Sequence, residues 1–195
     1  MLVRMDAVSD ELVEAIGRVV DTYGWAGATA ERIADAAGIN RTTLYRKGLT
    51  KERLLDAAIT VAAESFLAEM MEPMLQNGTA RERLEAVLEA VCRTMEQNLG
   101  LLAGLFDGPT TVFHLDGALP TTRFEYVQPL ERLLRDGAVD GTLVSSDPEG
   151  DAELMFNALV WTYVHLRRTH LQQAKTVTPA VIRLALGFVR PGQPN

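Results

Sequence analysis

The strongest constraint on the fold is a pair of short helix signals that are separated by a glycine turn. Thr29 and Asn40 are residue types that commonly cap helix N-termini, and each precedes a short run of residues with helical spacing. Between the two runs lies the turn 36–39 (AAGI), in which Gly38 can adopt the left-handed conformation that ends a helix. The segment 29–47 therefore predicts a helix, a turn and a second helix, which is the helix-turn-helix arrangement.

The second of these helices is predicted to expose a polar and basic face. Ile33 and Leu44 are spaced so that they pack the two helices together, along with Ala37 and Ile39. The residues that remain exposed on the second helix are Arg41, Thr42, Thr43, Tyr45, Arg46 and Lys47. Their side chains can donate hydrogen bonds to phosphates or base edges. A basic turn that is only solvated is the alternative, but it does not explain the turn chemistry beside it.

Local charge supports this prediction although the whole chain is acidic. The 195 residues carry a formal net charge of −7. Between Asn40 and Arg53, however, five basic residues stand against one acid, so this segment carries +4 and the remainder carries −11. Because salt screens charges beyond about 10 Å, the local excess decides whether a polyanion can bind there.

The motif also resembles the DNA-binding domain of the tetracycline-repressor (TetR) family. The resemblance rests on the runs 33–39 (IADAAGI), 43–46 (TLYR) and 51–55 (KERLL), and it extends over about residues 12–59. It implies that the helix 41–47 is a recognition helix that lies in the major groove of double-stranded DNA.

The resemblance implies roles for individual residues. Tyr45 matches a tyrosine that contacts the phosphate backbone, Lys51 matches a lysine that opens the fourth helix, and Thr29 matches a threonine that caps the second. The expected DNA contacts are Thr29, Asn40, Arg41, Thr42, Thr43, Tyr45, Arg46, Lys47 and Lys51. The family commonly has an aromatic residue three positions after the tyrosine, where this chain has Gly48. That departure predicts that a packing group between the recognition helix and the fourth helix is missing.

The rest of the chain is also predicted to be helical, so the fold class is all-α. Residues 1–50 are expected to form a three-helix DNA-binding domain with the helix-turn-helix, and residues 51–195 a helical domain for effector binding and dimerisation. Gly24 is expected to end the first helix, the segment 137–146 to be a loop, and a late helix to span 152–171. No pattern of alternating residues predicts a strand.

The last two predicted helices are apolar on every face, which indicates that they are covered on more than one side. A chain of this length can cover one side of each, so the simplest arrangement is a homodimer in which both helices pack against their symmetry mates. The expected interface residues are Trp161, Val164, Arg168, Ile182, Leu186 and Val189. The alternative is that both are core helices of a monomer.

Large apolar side chains are frequent in the second domain, where the TetR resemblance implies a cavity for a small effector. Such cavities are mostly apolar, and methionine and aromatic side chains suit them. The expected ligand-binding residues are Phe66, Met70, Met95, Phe106, Phe113, Phe124, Met155, Leu159 and Thr162. The irregular segment 110–120 is expected to form a lid or wall. Ordinary core packing is the alternative for each of these apolar residues.

No set of residues predicts catalysis, a cofactor or a metal site. His165 and His170 are five apart, which would place them on different faces of a helix, and Cys92 is the only cysteine. The sequence contains no glycine-rich phosphate loop and no nucleophile elbow. It also contains no recognisable signal peptide or membrane-spanning run, so a cytoplasmic protein that is not an enzyme and has no membrane partner is expected.

Together these features predict a ligand-responsive, DNA-binding transcriptional regulator, and members of the family it resembles are most often repressors. A small, largely apolar effector would release the homodimer from a pseudo-palindromic operator. The alternative is a helical small-molecule carrier or enzyme that has lost DNA binding.

Overall fold

The computed structural model describes residues 9–107 and 126–192, and within these ranges the chain is almost entirely helical. The helices in chain order are α1 (Asp10–Gly27), α2 (Ala30–Ala37), α3 (Arg41–Arg46), α4 (Lys51–Met74), α5 (Ala80–Gln97), α6 (Leu99–Asp107), α7 (Gln128–Asp140), α8 (Pro148–Arg168) and α9 (Ala174–Leu186). Two short strands, β1 (Leu143–Val144) and β2 (Arg190–Pro191), pair antiparallel. The all-α prediction is confirmed, although the sequence pattern missed this strand pair. None of the described helices is long and apolar enough to span a bilayer.

The chain divides into two compact units. The first contains the described residues up to Ser65 together with α6, so it includes α1, α2, α3 and the first part of α4. The second contains residues 66–97 and the described residues from Tyr126 onwards, so it includes α5, α7, α8 and α9. The domain boundary after residue 50, which was placed at the end of the helix-turn-helix, stays a prediction.

The first unit is built around α1, which packs against α2 and α6. Its core contains Ile16 and Ile33, which are completely buried, and Leu44, which keeps 2% of its surface exposed. Gly24 has backbone angles of φ 69° and ψ 171°, which are not helical, and only a short helical segment follows it as far as Gly27. The prediction that Gly24 ends the first continuous helix is therefore confirmed, because a glycine adopts this positive φ without steric cost.

The caps and the glycine turn of the helix-turn-helix have the predicted geometry. Thr29 Oγ1 accepts a hydrogen bond from the Arg32 N–H (3.3 Å), and Asn40 Oδ1 accepts one from the Thr42 N–H (2.9 Å). Gly38 follows α2 in the left-handed conformation, with a φ of 66°. These local interactions begin α2 and α3 and end α2 where the sequence indicates.

Leu49 supplies the packing group that was expected to be missing near Gly48. Gly48 adopts the left-handed conformation (φ 65°), and its N–H donates to the Tyr45 carbonyl oxygen (3.0 Å). The Leu49 N–H then donates to the Leu44 carbonyl oxygen (3.0 Å), and the Leu49 side chain is buried in the core that also contains Leu54. The expectation of a gap is therefore wrong, because the glycine turns the chain and the next residue fills the core.

The second unit packs α5, α7, α8 and α9 into one helical core. At the ends of two of these helices, the Arg167 guanidinium of α8 pairs with the Glu96 carboxylate of α5 (Nε–Oε2, 2.8 Å). The Tyr163 hydroxyl donates to the same oxygen (2.8 Å). Hydrogen bonds from Arg167 and then Tyr163 hold the pKa of the Glu96 carboxyl below its usual value, although partial burial opposes them. This charged group links α5 to α8.

The segment 137–146 is not a loop throughout. α7 continues through Gly137 to Asp140, Gly141 ends it with a φ of 75°, and Leu143 begins β1. Gly137 is buried, and a Cβ atom at this position would lie 2.6 Å from Leu143 Cβ. The loop prediction is therefore wrong at its start, because Gly137 permits a close contact between the helix and β1 instead of breaking the helix.

The helix α8 begins at Pro148 and ends at Arg168, so the prediction that it continues to Leu171 is wrong. Leu171 has a φ of 51°, a left-handed conformation that is incompatible with a continuing α-helix. His170 therefore lies beyond the helix, and the argument that His165 and His170 occupy different faces of one helix does not apply.

Replacement of Leu44 by alanine tests how far the first unit depends on this side chain. We expect Leu44→Ala to destabilise the unit by about 2–5 kcal/mol, because it removes buried apolar surface and leaves a cavity. Urea unfolding followed by circular dichroism measures the loss. Leu75→Ala is the matched control, since Leu75 is 78% exposed, and it should leave the unfolding curve unchanged. Equal effects of the two substitutions would contradict the packing described here.

Candidate nucleic-acid interface

The helix α3 is held by one buried side chain and turns its other sides towards solvent. Leu44 is the buried residue of this six-residue helix. Tyr45 is 62% exposed, and Arg41, Arg46 and Lys47 are exposed as well. A helix of this length is not stable in isolation, because too few hydrogen bonds form to offset its nucleation. The contacts that Leu44 makes in the core therefore decide which way the exposed side chains point.

The N-terminus of α3 is closed by its neighbouring polar side chains. Asn40 Oδ1 accepts hydrogen bonds from both the backbone N–H (2.9 Å) and the hydroxyl (2.8 Å) of Thr42. Thr43, one residue further, is half-buried. Asn40 is thus a helix cap in this structure, and the DNA contacts of Asn40, Thr42 and Thr43 stay predictions.

Glu31, which sequence reasoning missed, links two of the predicted DNA contacts. Glu31 Oε1 accepts hydrogen bonds from Arg41 Nη2 (2.6 Å) and from the Tyr45 hydroxyl (3.2 Å). A backbone N–H, the Tyr45 hydroxyl and the Arg41 guanidinium lower the pKa of the Glu31 carboxyl, so it remains charged at neutral pH. Glu31 belongs to α2 and its partners belong to α3, so no spacing within one helix could have indicated the contact.

The ion pair between Glu31 and Arg41 is weak enough for another anion to replace the Glu31 carboxylate. The side chains of Arg41 and Glu31 are 56% and 39% exposed. Exposed ion pairs contribute only about 0–1 kcal/mol, because water and salt screen them. A phosphate oxygen offers Arg41 and Tyr45 the same kind of acceptor as the Glu31 carboxylate, so it can replace that carboxylate at little cost.

Other predicted contacts stabilise the ends of α1 and α2. Lys51 Nζ donates to the Ala26 carbonyl oxygen (3.1 Å), close to the end of α1. Arg32 Nη1 donates to the Gly27 carbonyl oxygen (2.6 Å), and the Arg32 backbone N–H donates to Thr29 Oγ1. Cationic side chains are favourable at a helix C-terminus, where carbonyl groups lack helical partners. Thr29 and Lys51 therefore have structural partners in this structure.

Two further arginines of the first unit bind backbone carbonyl groups in the same way. Arg18 Nη2 donates to the Ala36 carbonyl oxygen (3.1 Å) in α2. Arg53 Nη1 donates to the Gly48 carbonyl oxygen (3.2 Å), directly after α3. The described basic residues of this unit are thus divided between those that bind carbonyl groups at helix ends and those of α3, which are exposed.

The residues expected to bind an effector lie mainly in the second unit. Those in the second unit are Phe66 and Met70 on α4, Met95 on α5, and Met155, Leu159 and Thr162 on α8. All of them are buried except Thr162, which is half-buried. Phe106 lies on α6, which belongs to the first unit. Phe113, Phe124 and the expected lid 110–120 lie outside the described residues.

Three aromatic rings meet in the second unit. The rings of Tyr126 and Phe156 stack with their centroids 5.7 Å apart, and Phe66 meets them edge-on at 5.1 Å and 6.3 Å. The sequence does not predict the role of Phe156, because its partners Phe66 and Tyr126 lie far from it along the chain and come close only in the folded structure. Stacked and edge-on contacts of this kind are favourable for aromatic rings. The resulting cluster is apolar except for the Tyr126 hydroxyl.

The residues expected at a dimer interface differ in exposure. Trp161 (50%) and Arg168 are exposed, Ile182 and Leu186 are half-buried, and Val164 (4%) and Val189 (7%) are covered by the chain itself. Sequence reasoning missed two further apolar residues of α8 and α9: Leu154 is 55% exposed and Leu184 is 45% exposed. Their exposure could not be read from the sequence, because both helices are apolar on every face.

The described residues contain no group of three or more His, Cys, Asp and Glu side chains that could hold a metal ion. Cys92 is buried, and this burial raises the pKa of its thiol to about 12. The thiol is therefore protonated at neutral pH, and it is a poor nucleophile and a poor metal ligand in the folded chain.

The chain has the fold of TetR-family transcriptional regulators, so the resemblance carried by its motifs is confirmed. PfmR, a TetR family transcriptional regulator from Thermus thermophilus, superposes with a TM-score of 0.74 at 20% identity, over 91% of this chain and 98% of its own. FadR, a fatty acid degradation regulator from Bacillus halodurans, superposes with a TM-score of 0.73 at 20% identity, over 93% of this chain and 99% of its own. KstR2, a ketosteroid transcriptional regulator of Mycobacterium tuberculosis, superposes with a TM-score of 0.72 at 18% identity, over 96% of each chain. No family model matches the sequence, and no curated protein matches it.

Replacement of Glu31 by glutamine tests the role of its charge at this interface. Glu31→Gln keeps the size of the side chain but removes a negative charge from beside Arg41 and Tyr45. We expect binding to a random-sequence DNA duplex at low salt to tighten about threefold to tenfold, because the phosphates no longer meet a carboxylate there. Fluorescence anisotropy with a labelled duplex measures the change.

Glu72→Gln is the control for this prediction. It changes the net charge of the chain by the same amount, and Glu72 is an exposed residue of the second unit. Its DNA binding should match that of the unchanged chain. If both variants gained affinity equally, total charge and not the position of Glu31 would be responsible.

Proposed function

We propose that this chain is a DNA-binding transcriptional regulator that reads DNA with α3. The observation that carries the proposal is the arrangement of α3, in which Leu44 is buried while Arg41, Tyr45, Arg46 and Lys47 are exposed. The similarity of its fold to TetR-family regulators supports it. An exposed helix with arginine and hydroxyl side chains fits the major groove, where base edges and phosphates are both within reach.

Arg41 and Tyr45 change partners in the proposed complex. In the free chain both donate to Glu31 Oε1, which orders the two side chains before DNA arrives. On DNA they donate to phosphate or base acceptors, while Arg46 and Lys47 add charge. The acidic remainder of the chain discourages DNA binding elsewhere, since it repels the phosphate backbone.

The regulator acts as a homodimer through α8 and α9 in this proposal. Leu154 and Trp161 are seven residues apart on α8, so they lie on one face, and both are exposed. Leu184 is exposed on α9, which packs against α8. Large exposed apolar side chains on adjoining helices suit a protein interface. A two-fold dimer would present two copies of α3 and so select a pseudo-palindromic operator.

A small, largely apolar effector releases the DNA in the same proposal, which makes the chain a repressor. The aromatic rings of Phe66, Tyr126 and Phe156 lie together in the second unit, and apolar ligands bind at sites lined by such side chains. The helix α4 begins with Lys51 in the first unit and carries Phe66 in the second, so it is the element through which ligand binding would shift the population of DNA-binding states.

The proposed DNA binding is tested with duplex DNA from upstream of the chain's own coding sequence, at two salt concentrations. We expect specific binding that weakens steeply with salt, because phosphate contacts release counterions. Arg41→Ala should weaken specific binding by about 1–3 kcal/mol, or roughly 5- to 150-fold, if Arg41 reads a base. Gel shift or anisotropy titrations measure both effects.

Arg93→Ala is the matched control for this experiment. Arg93 is 59% exposed on α5 and pairs only loosely with Glu69 (3.7 Å), so its loss should not change DNA affinity.

Fatty acids and steroids, which FadR and KstR2 suggest by their names, serve as probes that should release the DNA. Absence of binding to any DNA would favour a helical carrier or enzyme over a regulator.

Substitution of Trp161 by glutamate tests the proposed dimer. Trp161→Glu places a charge on the exposed face of α8, so we expect the chain to shift from dimer to monomer in sedimentation velocity. Val139→Glu is the matched control, since Val139 is 90% exposed on α7, and it should remain dimeric. A Trp161→Glu variant that stays fully dimeric would contradict an interface on this face.

A further inference from the structure

The chain turns back at the end of α8 and brings two histidines together. His165 lies in the last turn of α8, and His170 follows the helix. Their Nε2 atoms are 3.2 Å apart, their ring centres are 4.9 Å apart, and the ring planes meet at 77°. Both side chains are exposed to solvent. Two of the three histidines of the chain thus meet at one point on the surface of the second unit.

The backbone of this turn is held by several hydrogen bonds. The N–H groups of Thr169 (2.8 Å) and His170 (3.4 Å) both donate to the His165 carbonyl oxygen, and the Gln172 N–H donates to the Leu166 carbonyl oxygen (3.1 Å). Arg167 donates to the Gln172 carbonyl oxygen while it also pairs with a carboxylate of α5. The two rings therefore meet on a backbone that is already ordered, so little freedom remains to be lost when they bind something.

The separation of the two nitrogens is that of two ligands of one metal ion. Imidazole nitrogens bind Zn²⁺ at about 2.0–2.1 Å with tetrahedral angles, which places two of them roughly 3.3 Å apart. If the two Nε2 atoms of His165 and His170 pointed straight at each other, as in a linear hydrogen bond, the ring centres would be farther apart than the observed 4.9 Å. The two rings are therefore not aligned end to end. In the metal-free chain their Nε2 atoms are at hydrogen-bond distance, with the donor set by the tautomer, and a shared metal ion would replace that contact.

We propose that His165 and His170 form a surface site for a divalent transition metal ion of the class that imidazole favours, Zn²⁺, Ni²⁺ or Cu²⁺. Each ring supplies Nε2, and water completes the coordination, because the described residues offer no third side chain to such a group. The nearest cation in the sequence, Arg167, is neutralised by Glu96, while Arg168 is exposed to solvent and its charge is screened. Metal binding would fasten the turn after α8 to the helix itself.

A Zn²⁺ titration of the full-length, untagged chain tests the site. With a chromophoric chelator as competitor, we expect a binding step of one Zn²⁺ per chain. His165→Ala and His170→Ala should each weaken this step at least about tenfold, since even the loss of an outer partner of a metal ligand costs roughly 10- to 100-fold. Arg168→Ala is the control, because Arg168 is exposed in the same turn but is not a metal ligand, and it should bind Zn²⁺ no more weakly than the unchanged chain.

Electron paramagnetic resonance of the Cu²⁺-loaded chain provides a second readout that counts nitrogen ligands. The spectrum should show coupling to two imidazole nitrogens, and each single alanine variant should lose this two-nitrogen pattern. An unchanged chain that binds neither metal would overturn the proposal. It would also be overturned if only one of the two histidines mattered, or if the double variant bound Zn²⁺ as tightly as the unchanged chain.

Discussion

The interaction on which the proposed DNA interface depends is the burial of one side chain, Leu44, in the core of the first unit. The helix α3 has six residues, and Leu44 is the one that the core covers. Ile33 from the preceding helix and Leu49 from the following turn occupy the same core. A helix this short cannot hold its own conformation, so its exposed residues are positioned by that one contact together with the cap of Asn40. On the backbone held in this way, Arg41 and Tyr45 both reach Glu31 Oε1.

Electrostatics then decides what the exposed face can bind. Arg18, Arg32 and Arg53 bind backbone carbonyl groups at helix ends, so their charges also serve the fold. Arg41 instead pairs with Glu31, an exposed contact that a phosphate can displace. In the proposed function, the same carboxylate holds Arg41 and Tyr45 in the free chain and repels phosphates that approach them. We infer that Glu31 favours selective over indiscriminate DNA binding.

Sequence reasoning predicted what is determined locally. The caps at Thr29 and Asn40 and the left-handed Gly38 depend on a few consecutive residues, and the structure has all three. Gly137 was misinterpreted because a glycine that breaks a helix and a glycine that permits a close contact look alike in a sequence. Only the approach of Leu143 distinguishes them.

The remaining misses are contacts between segments that no fixed spacing connects. Glu31 meets Arg41 across the turn of the helix-turn-helix, and Phe156 meets Tyr126 between separate elements of the second unit. His165 and His170 were assigned to different faces because the helix was expected to continue, whereas Leu171 leaves the helical conformation. Each case depends on where a helix ends or which elements pack together, and these follow from the whole fold.

The most direct test of the central claim is an unbiased selection from random duplex DNA with the full-length chain, followed by sequencing. The account predicts enrichment of a pseudo-palindromic sequence whose half-sites are about one helical turn of DNA, or a multiple of it, apart. It also predicts that the same selection with the Arg41→Ala variant loses or relaxes this motif. If the unchanged chain enriched no sequence, the proposal that α3 reads DNA would be contradicted.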